Sequence, residues 1–217
     1  MSDATRLRAA PRIHPSATIE PGVEIGDGTA VWEHVHIRGP GTVIGHDCIV
    51  GEKTYIAYGV RIGDRCKLNA LVYVPTGVTI GDGVMISAGT VFTNDRYPRA
   101  TTPDLAELRD SGPGEDTLPT VVGDGVTIGA GALIGPGLEI GRFAMVGMGA
   151  VVTHRVPAHH LVAGAPARTK GCVCACGEPL GRAVDGALAD DEAIECRACG
   201  RSYTVRDGAV AERELAR

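Results

Sequence analysis

Large rings are scarce in this chain: 217 residues hold two Phe, one Trp and five Tyr, 4% aromatics in all. That excludes a core built from aromatic side chains, so whatever is buried must be small and aliphatic. No run approaches the roughly eighteen apolar residues of a membrane span. The opening MSDATRLRAAPRIHP also lacks an apolar stretch of signal-peptide length, and the expectation is a cytoplasmic protein. Excess positive charge is missing too. With a net charge of −5 and a pI near 5.8, neither nucleic acid nor an anionic membrane is expected as a partner. Cysteine is not scarce, but its number is odd, and five of the seven fall between Cys172 and Cys199. This pattern points to a metal site in a reducing compartment rather than to a disulfide framework.

What is abundant is glycine, 31 residues, and it recurs with a period. From Val122 the chain reads VGDGVT IGAGAL IGPGLE IGRFAM VGMGAV, with an aliphatic residue opening every hexad and Gly following it. A helix, turning about 100° per residue, would scatter a six-spaced stripe over several faces. A plain strand would need the i+2 position apolar as well, and Asp124 and Arg142 break that requirement. Short strands that each bury one aliphatic side chain and then bend at a small residue satisfy the pattern. Three of them close a triangular coil of about eighteen residues, and such coils stack about 4.8 Å apart with every backbone group paired. The hexads run from Ile13 through Ile37, slip by one residue across RGPGTV, and resume at Ile44 as far as Phe92. The extra residue is expected as a bulge at a corner. With the repeats after Val122 there are about twenty hexads, or six to seven coils. An all-β parallel β-helix over residues 12–170 follows, preceded by a short lead-in at 1–11.

Two segments depart from the period. Between Asn94 and Thr120 the sequence carries charge, Pro and Gly instead of buried aliphatics, so it must leave the coils as an external loop. From Gly171 onward, Cys174-x-Cys176-Gly and Cys196-x-x-Cys199-Gly face each other like the knuckles of a zinc ribbon. Fewer than fifty residues make too small a core, which a structural Zn²⁺ would compensate. Cys172 is an alternative ligand to Cys174. The tail holds nine acidic and six basic residues, so a stabilising or protein-contact module is expected rather than a nucleic-acid reader. Because the hexads make their own core, loss of the metal is expected to loosen only the tail. Cys48 and Cys66, eighteen residues apart at equivalent hexad positions, should stack in adjacent coils as buried thiols.

The hexads resemble those of the hexapeptide-repeat acyltransferases, whose coils form a left-handed parallel β-helix. VFTNDRYPRA (91–100), VWEHVHI (31–37), GDRCK and the terminal PAHHLVAGAPARTK narrow the resemblance to sugar-nucleotide 3-amino N-acetyltransferases of the WbpD and QdtC type. The resemblance implies a trimer with active sites between subunits. It also implies acetyl transfer from acetyl-CoA to the 3-amino group of a UDP- or dTDP-linked sugar. By the same likeness Asn94 stands beside the reacting amine, which an amide can orient without net charge. Asp95, Tyr97 and Arg99 shape the sugar and diphosphate pocket, with His36 approaching from an early coil. Gly147, Gly149, Ala150, Arg168 and Lys170 would contact the coenzyme. The competing reading is that these glycines, and Asn94 with Asp95, merely turn the chain.

Relatives that acylate a hydroxyl use a mid-chain His as general base, and gamma-class carbonic anhydrases bind metal through three. The seven histidines here are His14, His34, His36, His46, His154, His159 and His160, with none between the middle coils and the loop. A free amine needs no base for its attack, so an amine acceptor is expected. One position departs from the relatives' pattern: Thr76 stands one coil before Asn94, where they commonly carry an acid. Two alternatives stay open: a hexapeptide acyltransferase with another acceptor (antibiotic, amino acid or sugar hydroxyl), and a non-catalytic β-helix whose ribbon binds a partner.

Overall fold

The computed structural model describes residues 9–213. The expected lead-in at 1–11 thus lies largely outside the described residues. Every strand as far as Val151–Val152 is two or three residues long, and these strands fall into three parallel stacks that form the faces of a prism. The first face runs from Arg12–Ile13 through Lys67–Leu68 and Met145–Val146 to His160–Ala163. The second runs from Thr18–Ile19 through Tyr73–Val74 and Val91–Phe92 to Val151–Val152, and the third from Glu24–Ile25 to Glu139–Ile140. No helix is present among the described residues, and none is long and apolar enough to cross a membrane.

Register follows the six-residue period. Ile56 pairs with Val74 and Leu68 with Ile86, one coil apart, and the hexad-opening aliphatics point inward to form one continuous core. The extra residue lies where the hexads slip: Ile19 pairs with Ile37, but Ile37 pairs with Ile56, and the excess is absorbed at the Gly39–Gly41 corner. Most corners turn through a residue with positive φ. Glycine supplies the majority, as at Gly59, Gly89, Gly131 and Gly149, while His34, Asp47, Lys53, Arg65, Leu71 and Phe143 are side-chain-bearing exceptions. The second and third faces hold seven and six strands, matching the six to seven coils expected. The first face carries an eighth, because His160–Ala163 closes a shortened last coil in which Val162 pairs with Val146.

Cys48 and Cys66 stack inside the prism as free buried thiols, the Cys66 amide donating to Cys48 Sγ at 3.4 Å. At the far end, Arg168–Val173 turns back antiparallel on His160–Ala163, and Pro179–Arg182 adds to it. The first face thus continues into the tail across position 171 without a break. A separate antiparallel sheet of Asp191–Glu195, Ser202–Arg206 and Ala209–Glu212 completes the tail. Its small core contains Cys172, Tyr203, Val205 and Val210.

Candidate active site and cysteine cluster

Asn94 follows the second-face strand Val91–Phe92, at the corner leading to the third face, and the external loop leaves there. The loop's neck is closed by backbone pairing: Leu118 N–H donates to the Asn94 carbonyl at 2.7 Å, and Asp95 bridges Thr117. Beneath Asn94 the equivalent corner positions are Thr76 and Tyr58, stacked by the eighteen-residue period. Thr76 Oγ1 donates to the Tyr58 carbonyl (2.8 Å), and Asn94 Nδ2 donates to the Thr76 carbonyl (3.2 Å). The amide is thereby held through its nitrogen, which turns its oxygen into the group available to accept a hydrogen bond. Thr76 takes its place in this stack through its hydroxyl and carbonyl, a role that needs no acid.

A recess of about 210 Å³ opens on this corner, lined by Arg38, Tyr55, Tyr58, Tyr73, Asn94 and the loop segment Ser111–Pro113. Arg38 was not legible as a site residue. It reaches the recess from the coil three below Asn94, paired with Glu20 (3.1 Å) and lying 5.6 Å over the Tyr58 ring. The Tyr55 hydroxyl and the Glu20 charge hold the guanidinium firmly protonated. Tyr55 and Tyr73 stack almost parallel with centroids 5.3 Å apart. Burial raises the Tyr73 phenol above its ordinary pKa, and Tyr55 and Asp95 nearby add to the rise. The coil spacing itself signals the two tyrosines, because counting back from Val91 by eighteen residues meets Tyr73 and then Tyr55; no spacing from Asn94 lands on Arg38.

The expected acceptor residues divide between two places. Asp95 lines both the recess and a second concavity of about 270 Å³ within the loop, which Tyr97 and Arg99 also line. Both of these are well exposed, and Arg99 donates only to the adjacent Pro98 carbonyl (3.0 Å). His36 lies elsewhere, three strands below Val91–Phe92 on the second face. It sits 2.9 Å from Glu20 and edge-on to Tyr55, outside the Asn94 recess, and its hydrogen bond is the main reason the Glu20 carboxyl titrates lower than usual.

The expected coenzyme residues also separate. Gly147, Gly149 and Ala150 form the opposite corner of the second face, where Gly131 and Gly149 have open space on the side a Cβ would occupy. Ala150 is buried and offers that corner only its backbone. The apolar outward side chains Val91, Leu133 and Val151 lie on the face between this glycine corner and the Asn94 edge. Arg168 lines a recess of about 310 Å³ over the end of the prism, with His154 and Arg155, while Lys170 is exposed on the returning strand.

In the tail, the sulfurs of Cys174, Cys176, Cys196 and Cys199 all lie within 4.8 Å of one another. Cys172 is excluded from the cluster and packs in the tail's core instead. Cys174 and Cys199 sulfurs are 3.4 Å apart, and Cys176 and Cys196 sulfurs 3.6 Å. A tetrahedral ion with metal–sulfur bonds of about 2.3 Å requires edges of roughly 3.8 Å, so the four donors fit such an ion closely. Both knuckles turn at glycines with positive φ, Gly177 and Gly200, whose amides donate to the Cys174 and Cys196 carbonyls. The Cys176 amide donates to Cys174 Sγ, and the Tyr203 hydroxyl lies 3.1 Å from the same sulfur. Four soft donors in this geometry select zinc-like ions over oxygen-seeking ones.

Comparison with known proteins agrees with the prism. The bacterial transferase hexapeptide (six repeats) description matches residues 59–94 and 119–154, and the hexapeptide repeat of succinyl-transferase matches 41–75. The dTDP-3-amino-3,6-dideoxy-alpha-D-galactopyranose 3-N-acetyltransferase of Aneurinibacillus thermoaerophilus is 36% identical over 93 residues, 43% of this chain and 44% of that protein. An acyl-carrier-protein-dependent UDP-N-acetylglucosamine O-acyltransferase of Brucella ovis is 50% identical over 36 residues, 17% of this chain and 13% of that one. The chain therefore spans less than half the length of these curated relatives. Among solved structures, PerB from Caulobacter crescentus with CoA and GDP-perosamine aligns at 25% identity and TM-score 0.48, covering 76% of this chain and 58% of that one. Residues 41–94 and 119–154 thus carry hexapeptide repeats, in keeping with the six-residue period and the three-faced prism it builds.

Proposed function

We propose that this protein is an acetyl-CoA-dependent N-acetyltransferase acting on an amino group, the 3-amino group in our reading, of a UDP- or dTDP-linked sugar. The observation that carries the proposal is the Asn94 corner: an amide pinned by the Thr76 carbonyl at the mouth of an external loop, over a recess that holds an arginine and three tyrosines. The likeness to an amino-sugar 3-N-acetyltransferase supports the choice of acceptor.

In this reading Asn94 Oδ1 accepts an N–H of the sugar amine and aims its lone pair at the thioester carbon. The C–N bond forms, the C–S bond breaks, and the nitrogen's surplus proton neutralises the departing thiolate through solvent. No side-chain base is indispensable, because an amine is nucleophilic once it has lost the ammonium proton. Arg38, oriented by Glu20, supplies positive charge for the diphosphate, and Tyr55 with Tyr73 offers a flat surface to sugar or base. Asp95, Tyr97 and Arg99 meet the nucleotide from the loop, whereas His36, outside the recess, acts through Glu20, the carboxylate it shares with Arg38. The coenzyme's pantetheine lies along Gly147, Gly149 and Ala150, and its phosphates meet Arg168 and Lys170. In a cytoplasmic homotrimer the neighbour's face supplies the second wall of this cleft. The cysteine cluster holds one structural zinc per chain, which organises the tail and takes no part in the acyl step.

The test is a thiol-release assay across UDP- and dTDP-amino sugars and their 3-hydroxy counterparts. Acetylation of a 3-amino sugar nucleotide with a rate that rises with its free-amine fraction is expected. Equal turnover of the hydroxy sugar would overturn the amine reading, and failure to bind acetyl-CoA would favour a non-catalytic β-helix.

A further inference from the structure

The prism and the tail share more than a covalent link. His159, buried and with a φ of +62°, sits between the rings of Phe143 (5.3 Å) and Tyr203 (5.2 Å), and its Nδ1–H donates to the Val173 carbonyl at 3.0 Å. His160 Nε2–H donates to the Gly208 carbonyl at 2.8 Å, tying the turn of the tail's last hairpin to the last strand of the first face. Tyr203 has no exposed surface, and its hydroxyl accepts from the Ala175 amide while lying 3.1 Å from Cys174 Sγ. An unbroken line of contacts, Phe143–His159–Tyr203–Cys174, thus joins a corner of the prism to the first knuckle.

We propose that the metal-loaded tail is the clamp that closes the C-terminal end of the prism, with Tyr203 and His159 as positioning residues that carry the state of the cysteine site into coil 156–173. The physical reason is twofold. The tail's own core, chiefly Cys172, Tyr203, Val205 and Val210, is too small to hold without the ion. Once it opens, His159 loses the Tyr203 ring that covers it, His160 loses its Gly208 acceptor, and the returning strand Arg168–Val173 loses Pro179–Arg182 on its outer edge. Metal loss therefore reaches beyond the tail, against the expectation from sequence. That strand carries Arg168 and Lys170, so the clamp also sets the geometry of the coenzyme's far end; this last step rests on the function proposed above.

Hydrogen exchange on the full-length protein, zinc-loaded and after chelation under reducing conditions, tests the clamp directly. Exchange is expected to accelerate by at least about tenfold in residues 156–173 as well as in the tail, with residues 44–92 unchanged. Acceleration confined to 174–212, or a protein that neither contains nor binds zinc, would overturn the proposal. Tyr203→Phe keeps the ring and removes only the hydroxyl, so the variant should fold, release zinc several-fold faster to a competing chelator, and bind acetyl-CoA more weakly. Zinc release as slow as in the parent would count against Tyr203 as the link. If the zinc-loaded parent does not bind acetyl-CoA, the function proposed above fails, while the exchange result still decides the clamp.

Discussion

At the scale of single residues, Asn94 and His160 show how one hydrogen bond decides what a side chain can do. Asn94 Nδ2 is committed to the Thr76 carbonyl, so the amide's remaining acceptor is what meets the amine. Replacing Asn94 with Ala is expected to lower kcat by ~10-fold to 1,000-fold through lost positioning, measured with the true acceptor at saturating coenzyme. His36→Ala should act mainly on KM, since the ring lies outside the recess and its known partner is Glu20. His160 is buried, and burial pushes its pKa below the ordinary value, with the Gly208 carbonyl opposing in part. Its other nitrogen accepts from Thr169, and the neighbouring ring is His159. The unfolded chain therefore binds the proton more readily, and the stability held by neutral His160 is complete above the unfolded value near 6.5 and declines as pH falls through it. Thermal melts between pH 7.5 and 5.5 should show a shallower decline for His160→Gln, which can still donate to Gly208 but does not titrate.

At the scale of the repeated element, two kinds of glycine do different work. Gly51 has an ordinary φ, but a Cβ there would lie 2.6–2.9 Å from backbone atoms of Leu68, Asn69 and Ala70 in the next coil. Stacked coils cannot separate at one corner without breaking their ladder, so Gly51→Ala should cost ~3 kcal/mol, the upper end of the range for overpacked core sites. Gly131 has open space on that side and a φ of +68°, so Gly131→Ala meets only the left-handed penalty of ~1–2 kcal/mol. Denaturant midpoints of the two variants test the order, and equal losses would contradict the stacking argument. The external loop is the complementary case: its neck is fastened by the Asn94–Leu118 pairing while Leu105 and Leu108 near its tip stay exposed.

For the whole molecule, the proposed trimer and zinc content are both measurable in solution. Light scattering should give three times the chain's 22.4 kDa, and elemental analysis of protein purified without added metal should give one zinc per chain. A monomer at micromolar concentration would leave the glycine corner without a facing wall and weaken the case for coenzyme binding there. Less than about half an equivalent of zinc, with the four clustered thiols freely titratable, would remove the structural role assigned to Cys174, Cys176, Cys196 and Cys199.

The repeat architecture was legible from sequence because it is local. A six-residue spacing with glycine at the bends dictates the short strand, the corner and the eighteen-residue register, so Ile56 over Val74 could be written down without coordinates. The slip at RGPGTV, the departure of the loop at Asn94 and the pairing of two cysteine knuckles are likewise properties of neighbouring residues. The tertiary structure decided what depends on distant segments meeting. Arg38 enters the Asn94 recess because the stack and the returning loop segment Ser111–Pro113 bring them together, and His36, though close in sequence to Arg38 and sharing its Glu20 partner, stays outside the recess. Cys172 leaves the metal cluster because its strand continues the first face and buries its sulfur, a choice that spacing alone left open. The docking of Tyr203 on His159 depends on how the tail folds back over the last coil, and no periodicity in either segment records that contact.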